Sequence, residues 1–104
     1  MRKGEIWLAD LPEPIGKRPV VLLSRDEAYQ VRTNITVAEV TTTIRNIPVE
    51  VLLGPKDGLT KECVANFDTI ITIRKDLLIK RITLLSPEKT QQINEAIKFA
   101  LDLP

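Results

Sequence analysis

The 104-residue sequence contains no histidine and a single cysteine, Cys63. Histidine is the most frequent general base near neutral pH and a common metal ligand, so its absence excludes the commonest catalytic and metal-binding arrangements. One cysteine without histidine also excludes a cysteine–histidine nucleophile pair and a zinc site. We therefore expect no metal and no other cofactor. A single cysteine excludes an internal disulfide, which is typical of a protein in the reducing cytoplasm.

Several other features are missing. The four glycines are isolated from one another, so the sequence has no glycine-rich phosphate-binding loop. No apolar run approaches the roughly 18 residues that cross a bilayer, and Met1-Arg2-Lys3-Gly4-Glu5 leads into strand-like sequence rather than a signal peptide. The net charge of +1 excludes a global basic field, so any nucleic acid must bind at a local patch. The length predicts one domain over residues 1–104, and we expect a cytoplasmic protein without a membrane partner.

Short segments rich in β-branched residues alternate with proline and glycine turns. They predict strands over residues 4–8, 19–24, 34–42, 47–53, 63–73 and 79–85, with a proline-containing loop over residues 10–16. The fifth strand is long, and we expect a bend near Asn66. Ser24 followed three residues later by Glu27 is typical of a capping box and predicts a short helix or turn. The fold class is therefore α+β and mainly β, a small barrel or strongly bent sheet with a C-terminal helix.

The C-terminal helix is the clearest helical prediction. Ser86 is a favourable N-cap, Pro87 suits the first helical position, and Glu88 stabilises the positive end of the helix. Apolar residues then recur at helical spacing and predict one buried stripe. The stripe consists of Ile93, Ala96, Ile97, Ala100 and Leu101.

The tripeptide Lys17-Arg18-Pro19 precedes the apolar run Val20-Val21-Leu22-Leu23. Pro19 is predicted at the first residue of a strand, where a sheet tolerates the missing N–H. Arg18 would then end a loop beside a buried strand, and a guanidinium held in this way matches the oxygens of a phosphate. The alternative is an ordinary surface arginine beside a strand.

Two further polar groups are candidates for the same chemistry. Strand alternation places Thr41 on one face with Glu39, and Thr42 on the other. The hydroxyl of Thr41 is a candidate phosphate ligand, although threonines at a strand end are also explained by β-propensity. Asn66 and Asp68 are predicted on one strand face, with Asp68 a candidate carboxylate near the arginine; the alternative is a turn that both make with their own backbone.

The ordered set of these motifs resembles the MazF/PemK family of bacterial toxin endoribonucleases, across nearly the whole chain. The matching segments, in family order, are Gly4-Glu5-Ile6-Trp7, Lys17-Arg18-Pro19-Val20-Val21-Leu22-Leu23-Ser24, Val40-Thr41-Thr42, Ile47-Pro48-Val49-Glu50-Val51, Asp57-Gly58-Leu59, Asp68-Thr69-Ile70, Thr72-Ile73 and Leu85-Ser86.

The resemblance implies a small Src-homology-3-like barrel of the CcdB/MazF type and a homodimer. It implies metal-independent cleavage of single-stranded RNA and mRNA at short sequences through 2′-hydroxyl attack, and neutralisation by a cognate antitoxin. Arg18 and Thr41 match the principal active-site positions of the family, and Asp68 matches a carboxylate that some members use. The first loop, residues 11–16, is shorter than in many relatives, and Glu13 is the candidate replacement for an acidic residue there.

The RNA-binding surface is expected to include Lys17, Thr42, Arg45 and Glu13. Lys17 and Arg45, together with Arg18, would form a basic rim in loops around the site, and RNA binding at such a rim weakens with added salt.

Two other functions remain open from the sequence. One is a non-catalytic toxin of the same fold that acts on a protein target such as gyrase. Such relatives depend on C-terminal helix residues, typically with a tryptophan near the end, whereas this chain has no aromatic residue after Phe99. The other is a binding module with a degenerate site.

Overall fold

A six-stranded antiparallel sheet forms most of the computed structural model, which describes residues 1–104. The strands are β1 (Glu5–Leu11), β2 (Gly16–Leu22), β3 (Asn34–Thr41), β4 (Glu50–Leu53), β5 (Cys63–Arg74) and β6 (Leu78–Leu84). Two α-helices, α1 (Ala28–Val31) and α2 (Pro87–Ala100), and two short 3₁₀ turns, Pro55–Asp57 and Lys75–Leu77, complete the chain. The strand order β4-β5-β3-β2-β1-β6 leaves β4 and β6 at the edges.

The sheet is curled and covers a hydrophobic core on each face. β3 contributes to both cores, because Ile35 and Val37 point to one face while Ala38 and Val40 point to the other. The larger core lies beneath α2. The curl brings the turn after β4 against the opposite edge, since a Cβ added at Gly58 would lie 2.6 Å from Thr83 Oγ1 on β6. The predicted mainly β fold, a bent sheet with a C-terminal helix, is confirmed.

The long strand β5 bends where it passes β3. Ala38 pairs with Ile70 and Val40 pairs with Ala65, so four residues of β5 bulge opposite the single residue Glu39. In this bulge the Asn66 side chain accepts a hydrogen bond from the backbone N–H of Asp68 at 2.8 Å. The bend predicted near Asn66 is confirmed. The shared strand face is wrong, because Asn66 is buried while Asp68 is exposed.

The two helix predictions had different outcomes. Ser86 caps α2 as predicted, and its hydroxyl oxygen accepts a hydrogen bond from Lys89 N–H at 3.2 Å. The helix ends at Ala100, so Leu101 lies beyond it and is exposed rather than part of the buried stripe. The short helix predicted after Ser24 is present as α1, but Ser24 does not cap it: its hydroxyl accepts from Thr36 N–H, and α1 begins four residues later.

Two strand boundaries also differ from the prediction. β1 continues to Leu11 and β2 already begins at Gly16, because residues 6–11 and 16–21 pair as a tight hairpin. The prolines of this region are therefore accommodated by a four-residue connection rather than a seven-residue loop. β4 begins only at Glu50, which leaves a longer loop over residues 42–49. Neither helix is long and apolar enough to cross a membrane.

Candidate active site

Arg18 lies within β2, as its third residue, and not at the end of a loop as predicted. It pairs with Ala9 of β1, and the residues that follow it, Val20, Val21 and Leu22, are fully buried and fix the strand. The β2–β3 ladder covers only residues 20–22 of β2. Pro19 lies just outside this ladder, so its missing N–H removes no hydrogen bond between β2 and β3. Pro19 is thus the fourth residue of the strand rather than the first.

The side chain of Arg18 forms an ion pair with Glu39 on β3. Arg18 Nη1 donates to Glu39 Oε1 at 2.8 Å, with 34% of the arginine side chain and 13% of the glutamate side chain exposed. The guanidinium makes no other hydrogen bond within the chain, so its remaining N–H donors are free to bind an oxyanion.

Thr41 is the last residue of β3 and lies near the arginine by register. Val20 pairs with Glu39, and the same register continued two residues beyond the ladder places Arg18 opposite Thr41. Because side chains alternate along a strand, Glu39 and Thr41 share the face that Arg18 occupies. Thr41 is half-buried, and its hydroxyl oxygen accepts from Thr43 N–H at 3.2 Å, which leaves the hydroxyl hydrogen free to donate.

The predicted carboxylates occupy two other places. Asp68 is exposed in the β5 bulge opposite Glu39, and its carboxylate makes no hydrogen bond or ion pair within the chain. Glu13 is exposed in the connection between β1 and β2 and lies beyond the hairpin rung formed by Leu11 and Gly16. The structure therefore brings neither carboxylate into contact with Arg18.

The predicted RNA-binding residues lie on β2, in the connection between β1 and β2, and in the loop over residues 42–49. Lys17 is exposed on β2, opposite Asp10, and so lies in a strand rather than a loop. Thr42 and Arg45 are exposed in the loop over residues 42–49. The Glu50 carboxylate anchors this loop, because its Oε1 atom accepts from the backbone N–H groups of Arg45 at 3.0 Å and Asn46 at 2.9 Å.

Glu39 and Glu50 were not among the predicted site residues. The signal for Glu39 was available, since it is the one charged side chain on the strand face that also carries Ile35 and Val37. No sequence signal indicated that Glu39 pairs with Arg18, because only the cross-strand register brings the two side chains together. Glu50 falls within a segment that matches the family, but no sequence pattern indicates its role, which depends on the path of a loop.

A small cavity of about 190 Å³ opens beside the end of β3. Its lining includes Pro19, Val40, Thr41, Thr42, Cys63 and Ile82. Burial, with the nearby Asp57 charge, raises the pKa of the Cys63 thiol, so this cysteine is protonated and unreactive near neutral pH. The chain contains no group of three or more histidine, cysteine, aspartate or glutamate side chains placed to hold a metal ion.

Comparison with known proteins gives the family. The model described as "PemK-like, MazF-like toxin of type II toxin-antitoxin system" matches residues 2–101. The match over most of the chain shows that the protein is a toxin of a type II toxin–antitoxin system. Within that class the chain belongs to the PemK-like, MazF-like family, which confirms the family expected from the sequence.

Individual relatives cover nearly the whole chain. The chain is 36% identical to "Probable endoribonuclease MazF5" of Mycobacterium tuberculosis, over 96% of this chain and 92% of that protein. It is 34% identical to "Endoribonuclease MazF" of Staphylococcus saprophyticus, over 99% and 92%.

Solved structures show the same fold. "Mycobacterium tuberculosis toxin MazF-mt6" superposes with a TM-score of 0.89 at 34% identity, covering 96% of this chain and 98% of that one. "Endoribonuclease in complex with its cognate antitoxin from Mycobacterial species" superposes with a TM-score of 0.88 at 32% identity, covering 100% and 97%. These matches confirm the predicted barrel class of the MazF type.

Proposed function

We propose that the protein is a toxin endoribonuclease that cleaves single-stranded RNA, including mRNA, at short sequences. The observation that carries this proposal is the guanidinium of Arg18, fixed by Glu39 with its other donors free, on the strand face that also carries Thr41. A planar cation held with unused donors is suited to a phosphodiester. The relatives named as endoribonucleases support the same reaction for this chain.

The chemistry needs neither histidine nor a metal ion. The RNA supplies the nucleophile, since its 2′-hydroxyl attacks the adjacent phosphorus while the bond from phosphorus to the 5′-oxygen breaks. The leaving 5′-oxygen takes up a proton from water, so the products are a 2′,3′-cyclic phosphate and a 5′-hydroxyl. The protein contributes orientation, charge stabilisation and proton transfer.

Each site residue has a role in this scheme. Arg18 stabilises the negative charge that develops on the phosphoryl oxygens. The free hydroxyl hydrogen of Thr41 binds a phosphoryl oxygen or orients the 2′-hydroxyl. A carboxylate takes the proton of the 2′-hydroxyl. The candidates are Asp68, whose carboxylate is exposed and unpaired in the bulge opposite Glu39, and Glu13 in the connection between β1 and β2. Lys17, Thr42 and Arg45 bind the flanking RNA.

The proposed partners follow from the family and the surface. We place the toxin in the cytoplasm as a single domain and a homodimer, inhibited by a cognate antitoxin. An acidic or amphipathic antitoxin segment that covers Arg18 would act as a phosphate mimic. No feature of the structure favours a protein target such as gyrase, since the chain after α2 carries no aromatic residue.

The test is incubation of the purified protein with a mixed-sequence single-stranded RNA in excess chelator. We expect discrete fragments that resist the chelator and carry 2′,3′-cyclic phosphate ends, identified by mass spectrometry. Intact RNA at micromolar protein, with a folded and monodisperse sample, would contradict the proposal.

A further inference from the structure

We propose that Glu39 is a positioning residue that holds the Arg18 guanidinium in the orientation needed for phosphate binding. This inference rests on the proposed endoribonuclease function and assigns a role to a residue that sequence reasoning did not select. The bond that Glu39 makes is to Arg18, and Glu39 is not among the groups proposed to bind RNA directly. It acts through Arg18.

The place of Glu39 in the sheet fixes its carboxylate. On one side Glu39 pairs with Val20 of β2, a fully buried residue. On the other side Glu39 faces the β5 bulge. Its neighbours Ala38 and Val40 each pair with a residue of β5, but Glu39 does not. With only 13% of its side chain exposed, Glu39 is a more rigid anchor than a surface carboxylate.

The contact between Glu39 and Arg18 determines which N–H donors of Arg18 remain available for a phosphate. A guanidinium has five N–H donors in one plane, and a single bond from Nη1 to Glu39 uses one of them. The bond fixes the plane, so the remaining donors are oriented before RNA arrives. The entropy lost in ordering this long side chain is then paid at folding rather than in the transition state.

Electrostatics alone predicts the opposite effect of the Glu39 carboxylate on RNA cleavage. A carboxylate beside Arg18 neutralises part of its charge and competes with phosphate for the same donors. Removing the Glu39 charge would then strengthen RNA binding and leave or raise the rate. The two effects predict opposite changes in cleavage, so one substitution distinguishes them.

The experiment compares Glu39→Gln with Asp76→Asn in steady-state cleavage of a short RNA that contains one cleavage site. Asp76 accepts from Arg74 at 2.6 Å on the exposed surface, in an ion pair that does not include Arg18, and provides the control. We expect kcat of Glu39→Gln to fall roughly 10- to 100-fold, with KM changed by less than about threefold, and Asp76→Asn to remain within about twofold of wild type.

A second measurement reports directly on the arginine. In ¹⁵N-edited NMR spectra, rotation about the Cζ–N bonds of Arg18 should be hindered in the wild type and free in Glu39→Gln, while Arg74 is unchanged in that variant. Glutamine matches glutamate in size, so the fold should be retained, as circular dichroism would verify. If Glu39→Gln does not fold, Glu39→Asp tests the same point, because the side chain is one methylene shorter and its carboxylate lies farther from Arg18.

The outcomes separate the two proposals. Wild-type kcat in folded Glu39→Gln, or a lower KM with kcat kept, would overturn the positioning role. A wild-type protein that cleaves no RNA would instead refute the endoribonuclease function. In that case the NMR comparison alone decides whether Glu39 holds Arg18, and a freely rotating Arg18 in the wild type would overturn the inference.

Discussion

Among single residues, Arg18 has the most direct part in the proposed chemistry. We expect Arg18→Ala to lower the cleavage rate by roughly a hundredfold or more, since it removes the donors that stabilise the transition-state charge. Arg18→Lys should also be poor, because an ammonium cannot bind a phosphate with a planar pair of donors. The strand should survive, since the buried residues that follow Arg18 hold it. The measurement is a single-turnover cleavage rate with circular dichroism as the folding control; a folded Arg18→Ala protein with the wild-type rate would exclude the mechanism.

The neighbouring threonines provide a test of register. Thr41 lies at the end of β3 on the face of Glu39, whereas Thr42 follows the strand and is exposed. We therefore expect Thr41→Ala to reduce cleavage strongly and Thr42→Ala to reduce it much less, in the same assay. Each variant is the other's control, because both remove one hydroxyl and one methyl group. Equal losses would mean that the Thr41 hydroxyl is not directed at the phosphate.

At the scale of secondary-structure elements, Glu5 joins the first strand to the last. Its Oε2 atom accepts from Arg81 Nε of β6 at 2.7 Å, and its Oε1 atom accepts from Trp7 Nε1 at 3.1 Å and from the backbone N–H of Arg2 at 2.9 Å. Burial alone would raise the pKa of Glu5, but these hydrogen bonds outweigh it and leave the pKa below its ordinary value.

This network makes stability depend on pH. Because the pKa of Glu5 is lowered by folding, its contribution is complete above the pKa of an unfolded glutamate, about 4.3, and is lost as the pH falls through the folded pKa. We expect Glu5→Gln to lower the free energy of unfolding by roughly 1 to 3 kcal/mol at pH 7, with a smaller difference at pH 3. Urea unfolding at both pH values measures this, and Glu95→Gln, at an exposed ion pair, is the control. A difference that does not shrink in acid would show that the charge of Glu5 is not responsible.

The contact that closes the curled sheet depends on a glycine. Gly58 has φ of +96°, and an added Cβ would lie 2.6 Å from Thr83 Oγ1. Gly16 also has a positive φ, +70°, but a Cβ added there would lie 3.9 Å from Glu13 Oε1, an ordinary contact. Gly16→Ala therefore measures the cost of the backbone conformation without steric overlap. We expect Gly16→Ala to cost roughly 1 to 2 kcal/mol and Gly58→Ala to cost a further 1 to 3 kcal/mol, approximately, from overpacking. Urea unfolding of the two variants compares them; equal losses would mean that the turn does not press on β6.

The elements that the sequence predicted well are those defined by local signals. β3, β6 and α2 follow from β-branched runs, a capping serine and a helical stripe, and their bounds agree with the prediction within one residue at each end. The start of β2 was missed because Gly16, Lys17 and Arg18 are strand residues only through pairing with β1. The late start of β4 was missed because Glu50 holds the preceding loop through its side chain.

The candidate site shows the same division. Arg18 and Thr41 are predictable from their place beside apolar strands and from the family resemblance. The ion pair between Arg18 and Glu39 is not predictable, because it joins residues 21 positions apart through a strand register that no local pattern encodes. Spacing alone predicts that Asp68 shares a strand face with Asn66, and only the bulge reveals that Asp68 is exposed opposite Glu39 while Asn66 is buried.

At the scale of the whole molecule, the sheet leaves two strand edges unpaired. β4 lies beside α2, whereas β6 has a strand partner on one side only and exposes Ile79 with 48% of its surface accessible. Leu84, at the end of the same strand, is also exposed. An unpaired edge with exposed apolar residues is a typical surface for association with another chain.

We therefore expect the protein to be a homodimer at micromolar concentration, with the β6 edge in the interface. A 104-residue domain has a modest core and gains stability by burying such a surface against a second copy. Sedimentation velocity should give a dimer for the wild type and a monomer for Ile79→Lys, since a charge on an edge strand opposes pairing. Leu52→Lys, on the opposite edge, is the matched control and should remain dimeric. A monomeric wild type would refute the dimer, and a dimer that survives Ile79→Lys would place the interface on another surface.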